Sequence, residues 1–370
     1  MTVKVTLQKK IFTTMDVTPS LVNNITHQVS EVQQWSLYFR EKLIPTAAVL
    51  AVYLLTGTLG NALILFIHLT KMPRNDNRYF ITVLSGVNLF ACWVSTAFFF
   101  TLIYFNVNYP SDFTCKTFYF LIFVFLLESA GLIVVITIQR YLKLCRPYNQ
   151  QMNDKHKKTA ICLSVVTSLA TGFPCFYTSG VGPIGGHLNI TGTYCWIRTH
   201  RYYEVEITQT TVTAILLILF FVVNCVLYRK IGVVLIRLSI RRRKRLGDNQ
   251  DSAPDRNAWE AESSFIQSEP TTEYVERRRR RPIHVNFYRM FLTMFCTYVI
   301  VFIPTICLKI VSYFDKTLWF NVQGGLDINF IHICQDLFML KFSVDPIIYG
   351  YFDLAFRQKV VELFSNCCKR

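Results

Sequence analysis

Of the 370 residues in this chain, 52% are hydrophobic and only 17% are charged, whereas a typical soluble domain contains about 25% charged residues. This composition leaves too few polar side chains to cover a water-exposed surface, which excludes an ordinary soluble protein. The net charge of +16 does not indicate nucleic-acid binding, because the basic residues flank long apolar blocks.

Seven apolar blocks reach the roughly 20 residues that a helix needs to cross a bilayer. The predicted spans cover about 45–69, 79–104, 116–143, 158–179, 206–236, 285–312 and 327–350. Core helices of a soluble bundle would be shorter and amphipathic. The sequence therefore predicts an all-α membrane protein with a bundle of seven transmembrane helices.

Clusters of lysine and arginine follow the first, third and fifth predicted spans and precede the sixth. All of them lie on one side if the helices alternate, and the positive-inside rule makes that side the cytoplasm. We therefore expect a multi-pass plasma-membrane protein with an extracellular tail over 1–44, a transmembrane domain over 45–350 and a cytoplasmic end over 351–370. The basic side would also attract anionic lipid of the inner leaflet.

Two kinds of site fall in segments that this topology places outside. Asn24 and Asn189 each begin an Asn-x-Thr sequon, so both are candidate glycosylation sites. Cys115 begins the third span and Cys195 lies in the loop after the fourth, both on the oxidising side. A disulfide between these two cysteines would tie that loop across the mouth of the helices.

The cytoplasmic side contains one long loop, over about 237–284, whose charge and Ser, Pro and Asn content predict disorder. Its hydroxyl residues are candidate phosphorylation sites that would recruit arrestin: Ser263, Ser264, Ser268, Thr271 and Thr272. After the seventh span, residues from Tyr351 to Phe364 predict an amphipathic surface helix. Cys367 and Cys368 beyond it suit palmitoylation, with a plain reduced pair as the alternative.

Several different short motifs lie at defined positions along the predicted spans. In chain order they are Gly60-Asn61, Cys115 followed twenty-five residues later by Arg140 in Gln139-Arg140-Tyr141, Tyr228, Pro304, and Asp345-Pro346-Ile347-Ile348-Tyr349. In this order and spacing they resemble the rhodopsin-like family of G-protein-coupled receptors over about 45–368. The resemblance implies a cell-surface receptor that binds an extracellular ligand and activates heterotrimeric G proteins.

The resemblance also implies roles for single residues. Arg140 would contact the G protein after the sixth helix swings outward, and the simpler alternative is that it snorkels to the interface. The residues implied in coupling and activation are Arg140, Tyr141, Tyr228, Asp345, Pro346 and Tyr349, and those implied in the switch core are Asn61, Asn88, Phe302 and Pro304. Gln139 and His284 stand where the family usually has acids, so we expect a weak resting lock and raised ligand-independent signalling.

Charged residues inside the predicted spans should have a binding partner or a function, because inserting each into the bilayer costs on the order of 2.5–3.5 kcal/mol. Lys341 and Asp345 are four residues apart and share a helix face. Asn88 replaces the acid of the family's sodium pocket, so we expect the Lys341 ammonium to replace sodium. Its partners would be Asp345 and, as a second candidate, Glu128; the alternative leaves Lys341 unpaired and facing water or headgroups. We expect no metal ion and no other cofactor.

The resemblance narrows the ligand class. Ile122 stands where amine receptors have an aspartate, and Met339 stands where light-sensing members have the retinal lysine. The expected ligand pocket combines aromatic and charged residues: Tyr104, Tyr119, Ile122, Phe123, Arg198, Lys309, Gln335 and Asp336. Such a mixture favours a peptide, with a lipid or a small odorant-like molecule as the alternative.

Other classes fit the sequence less well. A channel or transporter needs a charge-lined path or a repeat with broken helices, and this sequence has only isolated intramembrane charges. No His-Glu-x-x-His, phosphate-loop or Gly-x-Ser-x-Gly motif points to an enzyme, and His332 and Asp336 are read as pocket or packing residues. A non-signalling decoy receptor on the same fold stays open.

Overall fold

The computed structural model describes residues 32–73, 78–148, 151–185, 191–197, 203–251, 272–314 and 325–368. A helical segment over 32–42 precedes the first long helix, and a short helical turn, Cys175–Thr178, follows the fourth. The labelled elements are α1 (Ile44–Thr70), α2 (Tyr79–Tyr104), α3 (Asp112–Cys145), α4 (Asp154–Gly172), β1 (Ser179–Gly185), β2 (Thr191–Ile197), α5 (Tyr203–Asp251), α6 (Thr272–Phe314), α7 (Gly325–Asp336), α8 (Met339–Phe352) and α9 (Leu354–Cys368).

Six helical stretches in the described residues are long and apolar enough to cross a membrane. They are Ile44–Thr70, Tyr79–Tyr104, Asp112–Cys145, Asp154–Thr178, Glu204–Arg241 and Tyr288–Leu308. The seventh predicted span forms the two shorter helices α7 and α8. Large apolar side chains such as Leu59, Leu163 and Ile218 are exposed, as expected where lipid rather than water surrounds the helices.

The seventh span is interrupted at Leu337 and Phe338, between α7 and α8. The amide of Leu340 donates to the carbonyl of Leu337, three residues earlier, at 3.0 Å. This is the bonding pattern of a 3₁₀ turn, which is more tightly wound than an α-helix. The Thr305 hydroxyl of α6 donates to the carbonyls of Cys334 and Gln335, at 3.2 and 3.3 Å. Thr305 therefore satisfies backbone acceptors that the interruption leaves without their helical partners.

Helix α3 lies at the centre of the bundle, where it packs against α2, α4, α5 and the strands. Helix α1 packs against both α2 and α8. A side chain at Gly60 of α1 would place its Cβ 2.6 Å from the Cβ of Pro346 in α8, so this close approach requires glycine. The close approach brings Asn61 to α8, where its amide donates to the Phe342 carbonyl at 2.9 Å.

Strands β1 and β2 form an antiparallel hairpin, with Ser179 opposite Ile197 and Val181 opposite Cys195. The predicted disulfide between Cys115 and Cys195 is confirmed, and it ties β2 to the start of α3. We call this end of the bundle the disulfide end, and the opposite end of α3, at Arg140, the Arg140 end.

The prediction of a disordered loop over about 237–284 is wrong at both of its ends. Helix α5 continues to Asp251 and α6 begins at Thr272, well beyond their apolar stretches. Arginine, lysine and glutamate are good helix formers, so the basic segments prolong both helices. Residues 252–271 lie outside the described residues, and they hold Ser263, Ser264, Ser268 and Thr271.

The predicted surface helix is present as α9 and begins at Leu354, three residues later than predicted. Asp353 separates it from α8, and the Asp353 carboxylate accepts the amide of Phe356 at 3.1 Å as an N-cap. Phe356 packs into the bundle, whereas Val361 and Phe364 are exposed. This distribution is typical of a helix that lies on a membrane surface.

Candidate functional site

A polar cluster lies in the middle of the bundle and joins α2, α3 and α8. The Lys341 ammonium is 2.9 Å from Asp345 Oδ2 and 3.1 Å from Asn88 Oδ1, and it also contacts the Ser129 hydroxyl. The Asn88 amide donates to Asp345 Oδ2 at 2.9 Å. All four side chains are buried. We call Lys341, Asp345, Asn88 and Ser129 the lysine cluster.

Glu128 does not belong to the lysine cluster, and the expectation that it pairs with Lys341 is wrong. Its Oε2 accepts hydrogen bonds from the hydroxyls of Ser164 at 2.8 Å and Ser168 at 3.4 Å, both on α4. Neighbouring residues of a helix project about 100° apart. Ser129 therefore faces Lys341 while Glu128 faces α4. The alternative of an unpaired Lys341 at the headgroups is also wrong, because Lys341 is paired and fully buried.

Arg140 is buried at its end of α3, with 4% of its surface exposed. Its guanidinium lies 5.2 Å from the centre of the Phe291 ring of α6, within the range of a cation–π contact. The structure therefore does not place Arg140 at the interface, as the snorkelling alternative required. Tyr141, the next residue, is partly exposed, and the ammonium of Lys230 on α5 lies 5.8 Å from the centre of its ring.

Tyr228 and Tyr349 lie on two sides of Arg140, and each belongs to a small hydrogen-bond network. The Thr137 hydroxyl donates to Asn224 at 2.8 Å and lies 3.1 Å from the Tyr228 hydroxyl. Thr137 and Asn224 were missed in the sequence, because polar residues in apolar helices carry no signal of which helix they face.

The Tyr349 hydroxyl donates to Asp353 at 2.7 Å and lies 2.8 Å from the ring nitrogen of His68 on α1. The Asp353 carboxylate is also 3.4 Å from the guanidinium of Arg78, at the start of α2. His68, Arg78 and Asp353 were not predicted from the sequence. Of these three residues, only Asp353 could have been recognised in the sequence, because aspartate is a preferred N-cap residue at the start of a helix.

Of the switch-core residues, Phe302 belongs to a stack of aromatic rings between α5, α6 and the interruption of the seventh span. The Phe302 ring lies parallel to that of Tyr298, with centres 4.3 Å apart, and 6.2 Å from that of Phe338. The ring of Phe220 on α5 packs against that of Tyr298, with centres 4.8 Å apart. Pro304 is partly buried two residues beyond Phe302.

The predicted ligand-pocket residues are not all brought together. Tyr119, Ile122 and Phe123 are partly buried on α3, Gln335 is partly buried on α7, and Asp336 beside it is buried. Tyr104 is 56% exposed at the end of α2, where the guanidinium of Arg40 lies 4.1 Å from the centre of its ring. Tyr104 therefore contacts the helical segment before α1 and does not line the interior.

Several predicted sites lie outside what the structure describes. Asn24, Asn189 and Arg198 fall in undescribed segments, and the side chains of Lys309, Thr272, Cys367 and Cys368 are undescribed although their helices are present. Within the described ranges, no group of three His, Cys, Asp or Glu side chains is arranged to hold a metal ion.

Known proteins share both the sequence pattern and the fold. The family model of the 7 transmembrane receptor (rhodopsin family) matches residues 60–349. The gastrin/cholecystokinin type B receptor of Canis lupus familiaris is 22% identical over an alignment of 300 residues, and the match covers 69% of this chain and 64% of that receptor. This chain thus spans less than two thirds of that relative's length.

The crystal structure of squid rhodopsin superimposes on this chain with a TM-score of 0.64 at 13% sequence identity. The superposition covers 89% of this chain and 86% of the rhodopsin chain. Together with the family match, this similarity confirms the predicted seven-helix fold.

Proposed function

This chain belongs to the rhodopsin family of seven-transmembrane receptors, a family of receptors and not of enzymes, and we propose that it couples an extracellular ligand to heterotrimeric G proteins. The protein is a multi-pass plasma-membrane protein. Its disulfide end would face the outside, since that end carries the oxidised cysteines. The Arg140 end would then face the cytoplasm, in line with the basic residues beside it.

The contact between Arg140 and Phe291 is the observation that carries this proposal. Phe291 belongs to α6, so an outward movement of α6 would uncover the buried guanidinium for a partner protein. A ligand drives that movement only if it binds more tightly to the open state than to the closed one. The ligand would act on the same helix through Phe302, which stacks against Tyr298 of α6 and faces Phe338 at the interruption of the seventh span.

A peptide is the ligand that we favour. The relative with 22% identity is named for gastrin and cholecystokinin, and the disulfide end combines aromatic rings with the buried carboxylate of Asp336. Aromatic anchors with a few placed charges suit a peptide. A lipid or odorant-like ligand is an alternative outcome of a ligand screen.

Further contacts follow from the proposed topology. Asn24 and Asn189 would be glycosylated outside, and Cys367 and Cys368 would anchor α9 at the inner leaflet after palmitoylation, next to anionic lipid. The exposed Val361 and Phe364 support this placement of α9. Phosphorylation between Ser263 and Thr272 would recruit arrestin.

The direct test is dissociation of unstimulated G-protein heterotrimers in cells, over a panel of alpha subunits, with wild type and Arg140→Ala at matched surface expression. We expect a basal wild-type signal, because Gln139 supplies no fixed anion next to Arg140. Arg140→Ala should abolish it. Ile138→Ala is the matched control, since Ile138 lies on the same helix and is 37% exposed on another face.

Loss of the signal in Arg140→Ala but not in Ile138→Ala would support coupling and identify the G protein. Equal signals from wild type and Arg140→Ala would contradict the role of Arg140. If neither exceeds mock-transfected cells, the expected weak lock is wrong. Arrestin recruitment by a library of amidated peptides then separates a ligand-dependent receptor from a decoy.

A further inference from the structure

Asp336 is a buried carboxylate at the end of α7, beside the interruption of the seventh span. Only 2% of its surface is exposed, and its Oδ1 has no hydrogen-bond partner among the described residues. No ion pair joins it to a described lysine, arginine or histidine. A buried carboxylate is costly unless it is paired. Because Asp336 lies at the end of the bundle where the proposed ligand binds, a ligand can supply that partner.

Asp336 lies towards the disulfide end, beneath the hairpin. Burial raises the pKa of the Tyr194 hydroxyl in β2, and the negative charge of Asp336 raises it further, so the two groups are within electrostatic reach. Tyr194 is held there because the next residue, Cys195, is bonded to α3. The charge of Asp336 also acts on Tyr53 of α1 and Tyr119 of α3.

Aromatic rings surround the same region. The ring of Phe98 lies 5.0 Å from that of Tyr119, and the ring of Phe99 lies 6.2 Å from that of Phe338, two residues beyond Asp336. Ring faces attract cations, and a carboxylate can only accept hydrogen bonds. An ammonium or guanidinium group satisfies both the rings and the carboxylate, whereas a neutral donor adds no charge and an anion is repelled.

We propose that Asp336 is the counter-ion for a cationic group, an ammonium or a guanidinium, of the extracellular ligand. This inference rests on the proposed receptor function and specifies the chemistry that its pocket recognises. The bound cation lies beside Asp336, within electrostatic reach of Tyr194 in β2 and Tyr119 in α3. A peptide would supply this group from an arginine, a lysine or its N-terminus.

The test uses thermal unfolding of the purified full chain in lipid nanodiscs, with two small probes of nearly the same shape. Phenethylguanidinium is a cation and phenethylurea is neutral. At millimolar concentration the guanidinium should raise the melting temperature of the wild type, because it binds the folded state, and the urea should not. Asp336→Asn should lose this shift.

Glu128→Gln is the matched control, because Glu128 is also a buried acid with one unpartnered oxygen, but it faces α4. This variant should keep the full guanidinium shift. Without any probe, Asp336→Asn should still unfold cooperatively, because the amide keeps the shape of the carboxyl group.

Three results would overturn the proposal: equal shifts with guanidinium and urea, no guanidinium shift in the wild type, or an undiminished shift in Asp336→Asn. The assay needs no G protein, so its outcome is independent of whether the receptor couples.

Discussion

Two buried aspartates on the seventh span, Asp345 and Asp336, differ in how the protein balances their charge. Asp345 lies in the lysine cluster, where its Oδ2 accepts bonds from Lys341 and Asn88. Asp336 lies nine residues nearer the disulfide end (336 against 345) and has no such partner in the described part of the chain. Lys341 balances the charge of Asp345 within the bundle, whereas we propose that a cation of the ligand pairs with Asp336.

The largest effect on stability should come from removing Lys341, the cation that pairs with Asp345. Lys341→Ala leaves Asp345 buried and uncompensated, which costs about 3–5 kcal/mol. We expect loss of surface expression and a strongly lowered melting temperature, measured by flow cytometry and by thermal unfolding of the purified chain.

The double variant Lys341→Met with Asp345→Asn should recover much of this loss, because it removes both charges. Lys359→Ala is the control, since Lys359 pairs with Glu362 in α9 but both side chains are more than a third exposed. That change should cost at most about 1 kcal/mol. Normal surface expression of Lys341→Ala would show that the lysine cluster does not stabilise the bundle.

A smaller effect on stability should follow from disturbing the packing of α1 against α8 beside Asp345. Gly60→Ala places a methyl group 2.6 Å from Pro346, the residue after Asp345, and such overpacking costs about 1–3 kcal/mol. Thermal unfolding should report a lowered melting temperature.

Gly86→Ala on α2 is the matched change, because a Cβ there meets no atom within 4 Å. It should stabilise by about 0.5–1 kcal/mol, the usual gain of alanine over glycine in a helix. If both variants unfold at the same temperature, the contact between α1 and α8 is looser than the structure indicates.

The smallest effect on stability should come from a change at the interruption of the seventh span, next to Asp336. Thr305→Val removes the hydroxyl that donates to the carbonyls of Cys334 and Gln335 but keeps the shape of the side chain. The cost should be about 1 kcal/mol in the free energy of unfolding, typical of one hydrogen bond.

The control for this change is Thr293→Val, because the Thr293 hydroxyl bonds only within α6, to the carbonyl of Arg289. Thermal unfolding should detect a change of at most about 0.5 kcal/mol there. A larger loss in Thr293→Val than in Thr305→Val would argue against a role of Thr305 at the interruption.

Sequence alone was sufficient wherever the relevant physics is local along the chain. Span length and apolar content predicted the helices, because crossing a bilayer requires a set number of apolar residues. The spacing of Lys341 and Asp345 predicted a contact within one helix, since residues four apart share a face. The outer positions of Cys115 and Cys195 predicted their disulfide.

The tertiary structure decided which faces of the helices meet. Glu128 and Ser129 are neighbours in sequence, yet Ser129 contacts Lys341 and Glu128 contacts α4. Likewise, the contact of Tyr349 with His68 joins residues on opposite ends of the chain. Apolar helices in lipid lack the polar face that reveals the orientation of a soluble helix, so their rotation follows from packing alone. The sequence could therefore predict only that Asp336 belongs to the pocket. The fold revealed that its buried Oδ1 has no hydrogen-bond partner among the described residues.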